Sequence, residues 1–192
     1  MIKIGILGDI GSGKSFAAQN FGYPVFDADK EVAQLYKKDK KIYGKFKKIL
    51  PKYFNSFPID KKEVSSAILA NKNNLNKIIK IVHSEIRKKM NIFLNENKKK
   101  NKRIVILDIP LLLENKINKK EDILVFVQAN KNDILKRIKK RENFNNNLLI
   151  KFKNIQLPLN YKKKKSQFII KNNFTKKSIK KEINSILKEI IL

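Results

Sequence analysis

Five short apolar runs stand out from a chain that is otherwise polar and helical in period. They are Ile2-Lys3-Ile4-Gly5-Ile6-Leu7, Tyr23-Pro24-Val25-Phe26, Ile104-Val105-Ile106-Leu107, Ile123-Leu124-Val125-Phe126-Val127 and Phe168-Ile169-Ile170. Their apolar character is largely continuous rather than alternating, as in strands covered on both faces. Between them the period changes. Phe16-Ala17-Ala18-Gln19-Asn20-Phe21 suits the first turns of a helix. Residues 30–102 repeat apolar positions at three- and four-residue spacing, as in Ile78, Ile79, Val82, Ile86 and Met90, which predicts a helical stretch. Lys98-Lys99-Lys100-Asn101-Lys102 reads as a solvated link. Ile179, Ile183, Ile186, Leu187 and Ile190 form one stripe of an amphipathic closing helix. Strands alternating with helices predict an α/β fold with a parallel sheet covered on both faces, and ligands bound beyond the carboxyl ends of the strands. There is no internal repeat.

The first strand runs into Gly8-Asp9-Ile10-Gly11-Ser12-Gly13-Lys14-Ser15, a complete G-x-x-x-x-G-K-[ST] phosphate-binding loop followed by a helical pattern. Glycines allow successive backbone N–H groups to turn inward around a polyphosphate. The lysine reaches the β and γ phosphates, and the serine hydroxyl can ligate Mg²⁺. Gly11, Ser12, Gly13, Lys14, Ser15 and Phe16 are therefore the expected ATP-binding residues, with Ser15 the metal ligand. Two other strands also end in acids, at Asp27-Ala28-Asp29 and at Asp108.

Composition narrows the classes. At 192 residues the chain suits one sizeable core. There are no cysteines, so disulfides, thiolate metal sites and a cysteine nucleophile are excluded together. No apolar stretch approaches membrane-span length, and no signal peptide precedes the first strand; a cytoplasmic protein is expected. The net charge of +28 suggests a nucleic-acid partner. However, the excess is nearly all lysine, spread along every segment with no recognition module beside it, and arginine stands only at 87, 103, 137 and 141. Compositional drift from an A/T-rich coding sequence accounts for it, and specific nucleic-acid binding is not expected.

Taken in order, the loop, Asp27-Ala28-Asp29, His83, Asp108-Ile109-Pro110-Leu111-Leu112-Leu113-Glu114, Arg137-x-x-x-Arg141, Gln156 and Asn172 resemble the dephospho-coenzyme A kinase family. That family phosphorylates the ribose 3′-hydroxyl of dephospho-coenzyme A with ATP. Its "DAD" and "PLL-E" runs are intact. Its tail "Q-x-P-L-x-x-K … I-x-N" is matched by Gln156-Leu157-Pro158-Leu159-Asn160-Tyr161-Lys162 and Ile170-Lys171-Asn172. The resemblance covers essentially the whole chain. It implies a P-loop NTPase fold, three-layer α/β/α with a five-stranded parallel sheet. One domain, 1–192, would comprise a core at about 1–29, 103–130 and 165–192, a helical substrate-binding insertion at about 30–102 and a short helical lid at about 131–164.

It also implies roles. Asp29 would be the catalytic base, assisted by Lys14 and by Arg137 and Arg141 from the lid. Asp27, His83, Arg87, Pro110 and Leu111 would bind the acceptor, with ATP and Mg²⁺ as donor and metal. From the residues alone other readings stand. Asp27 and Asp29 also suit helix caps, Asp108 a plain strand-end acid, and His83 a hydrogen-bonded structural histidine. Arg137 and Arg141, one helical turn apart, can point the same way, or belong to a solvated face. Leu7, Asp9, Phe16, Ser84 and Ser166-Gln167 depart from the family pattern. These departures bear on efficiency and base contacts rather than reaction type. Two other functions fit the loop: a kinase of another small hydroxyl substrate, such as a nucleoside or sugar, and a nucleic-acid-associated P-loop ATPase. Oligomeric state is not written in these patterns.

Overall fold

The computed structural model describes residues 1–142 and 144–191. The chain divides into two compact units: Met1–Asp27, Leu94–Phe144 and Ile155–Leu192 form one, Ala28–Phe93 and Asn145–Asn154 the other. In the first, the five apolar runs become β1 (Ile2–Gly8), β2 (Val25–Asp27), β3 (Ile104–Asp108), β4 (Ile123–Ala129) and β5 (Phe168–Asn172). All pair in parallel, in the order β2-β3-β1-β4-β5. The central β1 is thus hydrogen-bonded on both sides, and Ile4 has Ile106 and Ile123 as its partners.

The first unit also holds helices α1 (Lys14–Asn20), α6 (Lys131–Lys139), α8 (Leu159–Lys165) and α9 (Lys176–Ile191). Ile4, Ile6, Ile106, Val125 and Ile170 cluster with Ala17 and Ala18 of α1 and with Ile179, Ile183 and Ile186 of α9. Each such aliphatic side chain removed from water contributes roughly 1.5–3 kcal/mol. On the opposite face of β1, Leu112 and Leu124 close over Gly5, and α8 packs on β1 and β4. Helices therefore cover both faces, giving the three-layer arrangement.

The second unit is helical, with α2 (Ala28–Lys38), α3 (Lys40–Ile49), α4 (Lys61–Ala70), α7 (Asn146–Asn154) and most of α5 (Lys72–Lys99). Its core is aromatic: Phe46 stacks on Phe54 with ring centroids 4.6 Å apart, and Tyr36 meets Phe46 edge-on at 6.0 Å. Burial pushes the Tyr36 hydroxyl up to about 12. Asp39 caps α3 by accepting from the N–H groups of Lys41 and Ile42, and Asp60 caps α4 through that of Lys62. Glu31 pairs with Lys89 at 2.9 Å. Among the described residues no helix is long and apolar enough to cross a membrane.

Two local expectations change. Lys98 and Lys99 are not a link but the last turn of α5, which stops only before Asn101 at φ 52. Lysine is a good helix former and suits the negative end of the helix dipole. Conversely, α6 stops at Lys139, so Arg137 lies on the helix and Arg141 beyond it, with its N–H bonded to the Ile138 carbonyl. The buried positions of α6 are Ile134 and Ile138. The next turn, Arg141-Glu142, offers no apolar residue to bury, and helix propagation without packing is weak.

Candidate active site

The loop between β1 and α1 is shaped by close approach. Gly11 has φ 83, and a β-carbon there would stand 2.7 Å from the Ile138 side chain of α6. Gly13 has φ 92, and a β-carbon there would collide with the Asn172 amide at the end of β5. Only glycine fits either position. Gly13 also precedes α1 without a capping side chain, so the first N–H groups of that helix face outward as phosphate donors. The Ser12 N–H closes the turn onto the Asp9 carbonyl at 3.2 Å. Lys14 folds back over the loop, its Nζ donating to the carbonyls of Asp9 at 2.8 Å and Gly8 at 3.3 Å. The buried Ser12 hydroxyl has no hydrogen-bond partner among the described residues. Ser15 and Phe16 are exposed on the first turn of α1.

Asp9, a departure from the family pattern, is accommodated locally: its carboxylate accepts the Ile10 N–H at 2.7 Å. The carboxyl ends of β2 and β3 then bring two acids together, because Asp27 and Asp108 are register partners. Asp108 is buried and Asp27 half-buried. Beyond β3 the chain turns through Pro110 and Leu111, the latter at φ 60. Asp29 is exposed in the first turn of α2, so it belongs to a helix start rather than a strand end. His83 is half-buried and Arg87 exposed, one turn apart on α5. Asp29, His83 and Arg87 are all in the second unit.

One network was not legible in the sequence. Asn172 donates from Nδ2 to the Ser12 carbonyl at 2.8 Å, and its Oδ1 accepts the Phe174 N–H at 2.7 Å. That bond holds Phe174 at φ 64, a conformation a bulky residue adopts only under constraint. The Phe174 ring carries the Arg137 guanidinium 4.3 Å above its centroid. Arg137 is therefore placed beside the loop twice over, by Ile134 and Ile138 of its own helix against Gly11 and by Phe174. Asn172 was visible as part of a motif. Phe174 carried no signal, since its role depends on a turn conformation and a partner far away in sequence.

A parallel sheet with a glycine cradle at the end of its middle strand, a lysine folded over that cradle and an arginine held beside it define a P-loop kinase. The model of the dephospho-CoA kinase family matches residues 2–178, and the chain belongs to that family. It is 35% identical to a dephospho-CoA kinase of Wolbachia pipientis wMel over 98% of both chains. A crystal structure from Thermus thermophilus superposes with TM-score 0.77 at 24% identity, covering 98% of this chain and 97% of that one. A dephospho-CoA kinase from Campylobacter jejuni gives TM-score 0.63 at 22% identity, covering 98% and 96%.

Proposed function

We propose that this chain transfers the γ-phosphoryl group of ATP to the ribose 3′-hydroxyl of dephospho-coenzyme A, producing coenzyme A. The observation that carries the reading is the full-length family match combined with an intact phosphate cradle at the end of β1. Phosphoryl transfer asks little covalent chemistry of a protein, so positioning and charge stabilisation supply most of the catalysis.

The backbone of Gly11 to Phe16 would hold the phosphates, and Lys14 would leave its carbonyl partners for the β and γ phosphates. Arg137 and Arg141 would close over the transferring group as planar forks. Asp29 would accept the proton of the attacking hydroxyl, with Asp27 beside the acceptor. His83, Arg87, Pro110 and Leu111 would bind the acceptor itself. The donor set fits Mg²⁺: Ser15 offers an exposed hydroxyl on the first turn of α1. Mg²⁺ takes one or two protein oxygens and fills its shell with water and phosphate. When bound it neutralises charge on the phosphates. Both substrates are water-borne, so a cytoplasmic site of action suits the reading.

The test is direct: purified chain, ATP, Mg²⁺ and dephospho-coenzyme A, with coenzyme A identified by mass. Formation of coenzyme A is expected. Absence of that product alongside phosphorylation of a nucleoside or sugar would overturn the reading.

A further inference from the structure

The matched tail Gln156 to Lys162 and the glutamate of the Pro110 to Glu114 run have no role in the chemistry above, yet the fold brings them together. Lys162 is 3% exposed, and its Nζ lies 2.6 Å from Glu114 Oε1. The same oxygen accepts the Leu157 N–H at 3.0 Å, and Lys162 also donates to Gln156 Oε1 at 3.4 Å. Glu114 Oε2 is buried with no hydrogen-bond partner among the described residues.

A buried ion pair that leaves one carboxylate oxygen unsatisfied is a poor device for stability. Desolvating both charges is costly, and an apolar pair of similar volume commonly does as well or better. What the pair supplies is direction. Two flexible side chains are fixed in one geometry that apolar contact would let slide. One end of the tie is the turn 110–117, closed by the Asn115 N–H on the Leu111 carbonyl and the Ile117 N–H on the Leu112 carbonyl. Leu112 anchors that turn over Gly5 of β1. The other end is the start of α8, which packs on β1 and β4, and β1 runs into the phosphate loop.

We propose that Glu114 and Lys162 are positioning residues that register the turn carrying Pro110 and Leu111 to the strand carrying the phosphate loop. They would thereby set the distance between acceptor hydroxyl and γ-phosphate. This rests on the reading of Pro110 and Leu111 as acceptor contacts.

Two double variants test it. Glu114→Leu with Lys162→Met removes the tie and keeps the volume. Glu114→Gln with Lys162→Met removes the charges but keeps an acceptor for the Leu157 N–H. In the first, kcat with dephospho-coenzyme A should fall about 10- to 100-fold, as small misplacements do. Its melting temperature should stay within a few degrees, roughly as apolar replacements of buried pairs allow, and its KM for ATP should be unchanged. Its Leu157 amide should lose protection from hydrogen exchange. The second should keep that protection and recover most of the lost kcat.

Unchanged kcat in the first variant would make the pair simple packing and overturn the proposal. So would equal losses in both variants, or failure of both to fold. Lack of coenzyme A formation by the unaltered chain would instead remove the functional reading, with the amide protection still reporting the tie.

Discussion

At the phosphate loop the recognising groups are backbone N–H donors, held in place because Gly11 and Gly13 let α6 and Asn172 approach. In the second unit the candidate groups, Asp29, His83 and Arg87, are side chains carried on α2 and α5. The first arrangement tolerates almost no added atom. The second is a helical scaffold with an aromatic core, capped helix starts and a lysine-rich surface, where single surface changes are absorbed. A backbone site thus depends on the absence of side chains, and a side-chain site on their presence. Substitutions should affect the two in different ways.

The largest expected effect tests the side-chain half. Asp29→Asn should lower kcat by roughly 10²- to 10⁴-fold, the usual contribution of a general base, while ATP affinity changes little. Steady-state kinetics alongside ATP titration would separate these, and unchanged turnover would remove Asp29 from the base role. For the backbone half, Gly13→Ala adds positive-φ strain of about 1–3 kcal/mol and overpacking of a similar size. ATP affinity should fall at least about 30-fold by the same arithmetic. Calorimetric titration showing near-normal binding would mean the cradle yields more than its packing suggests.

A smaller effect is expected where the two modes meet. Phe174→Leu removes the face on which Arg137 rests, a contact of about 0.5–2 kcal/mol, so the KM for ATP should rise several-fold. The KM for the acceptor should not move; a parallel rise in both would point to general damage.

Glu85 supplies the smallest. Hydrogen bonds from Lys45 at 2.8 Å and Lys88 at 3.1 Å hold its carboxyl below the ordinary carboxylate range. A lowered folded-state value contributes stability at neutral pH that is lost as pH falls through that range. Because both lysines are largely solvent-exposed, the contribution is at most about 1 kcal/mol. Glu85→Gln should therefore lower stability slightly at pH 7 and leave it unchanged near pH 3, read from urea unfolding at both.

The five strands, the phosphate loop and the closing helix were legible because each is specified locally. A continuous apolar run already encodes a strand buried on both faces, and Gly-x-Gly-Lys-Ser already encodes a chain that must turn with its N–H groups inward. The family motifs extended this to candidate acids, arginines and acceptor residues. The stop of α6 before Arg141 was less visible, since helix length follows from what the next turn can bury rather than from the spacing of two arginines.

Tertiary structure alone decided which distant groups meet. Parallel register set Asp27 beside Asp108. The end of β5 brought Asn172 against Ser12 and Phe174 under Arg137. Folding of α8 onto the sheet buried Lys162 against Glu114. Such contacts join residues far apart in sequence through directional bonds and a left-handed turn. A linear pattern of residues carries no record of direction, so it names the pieces of this site without their partners.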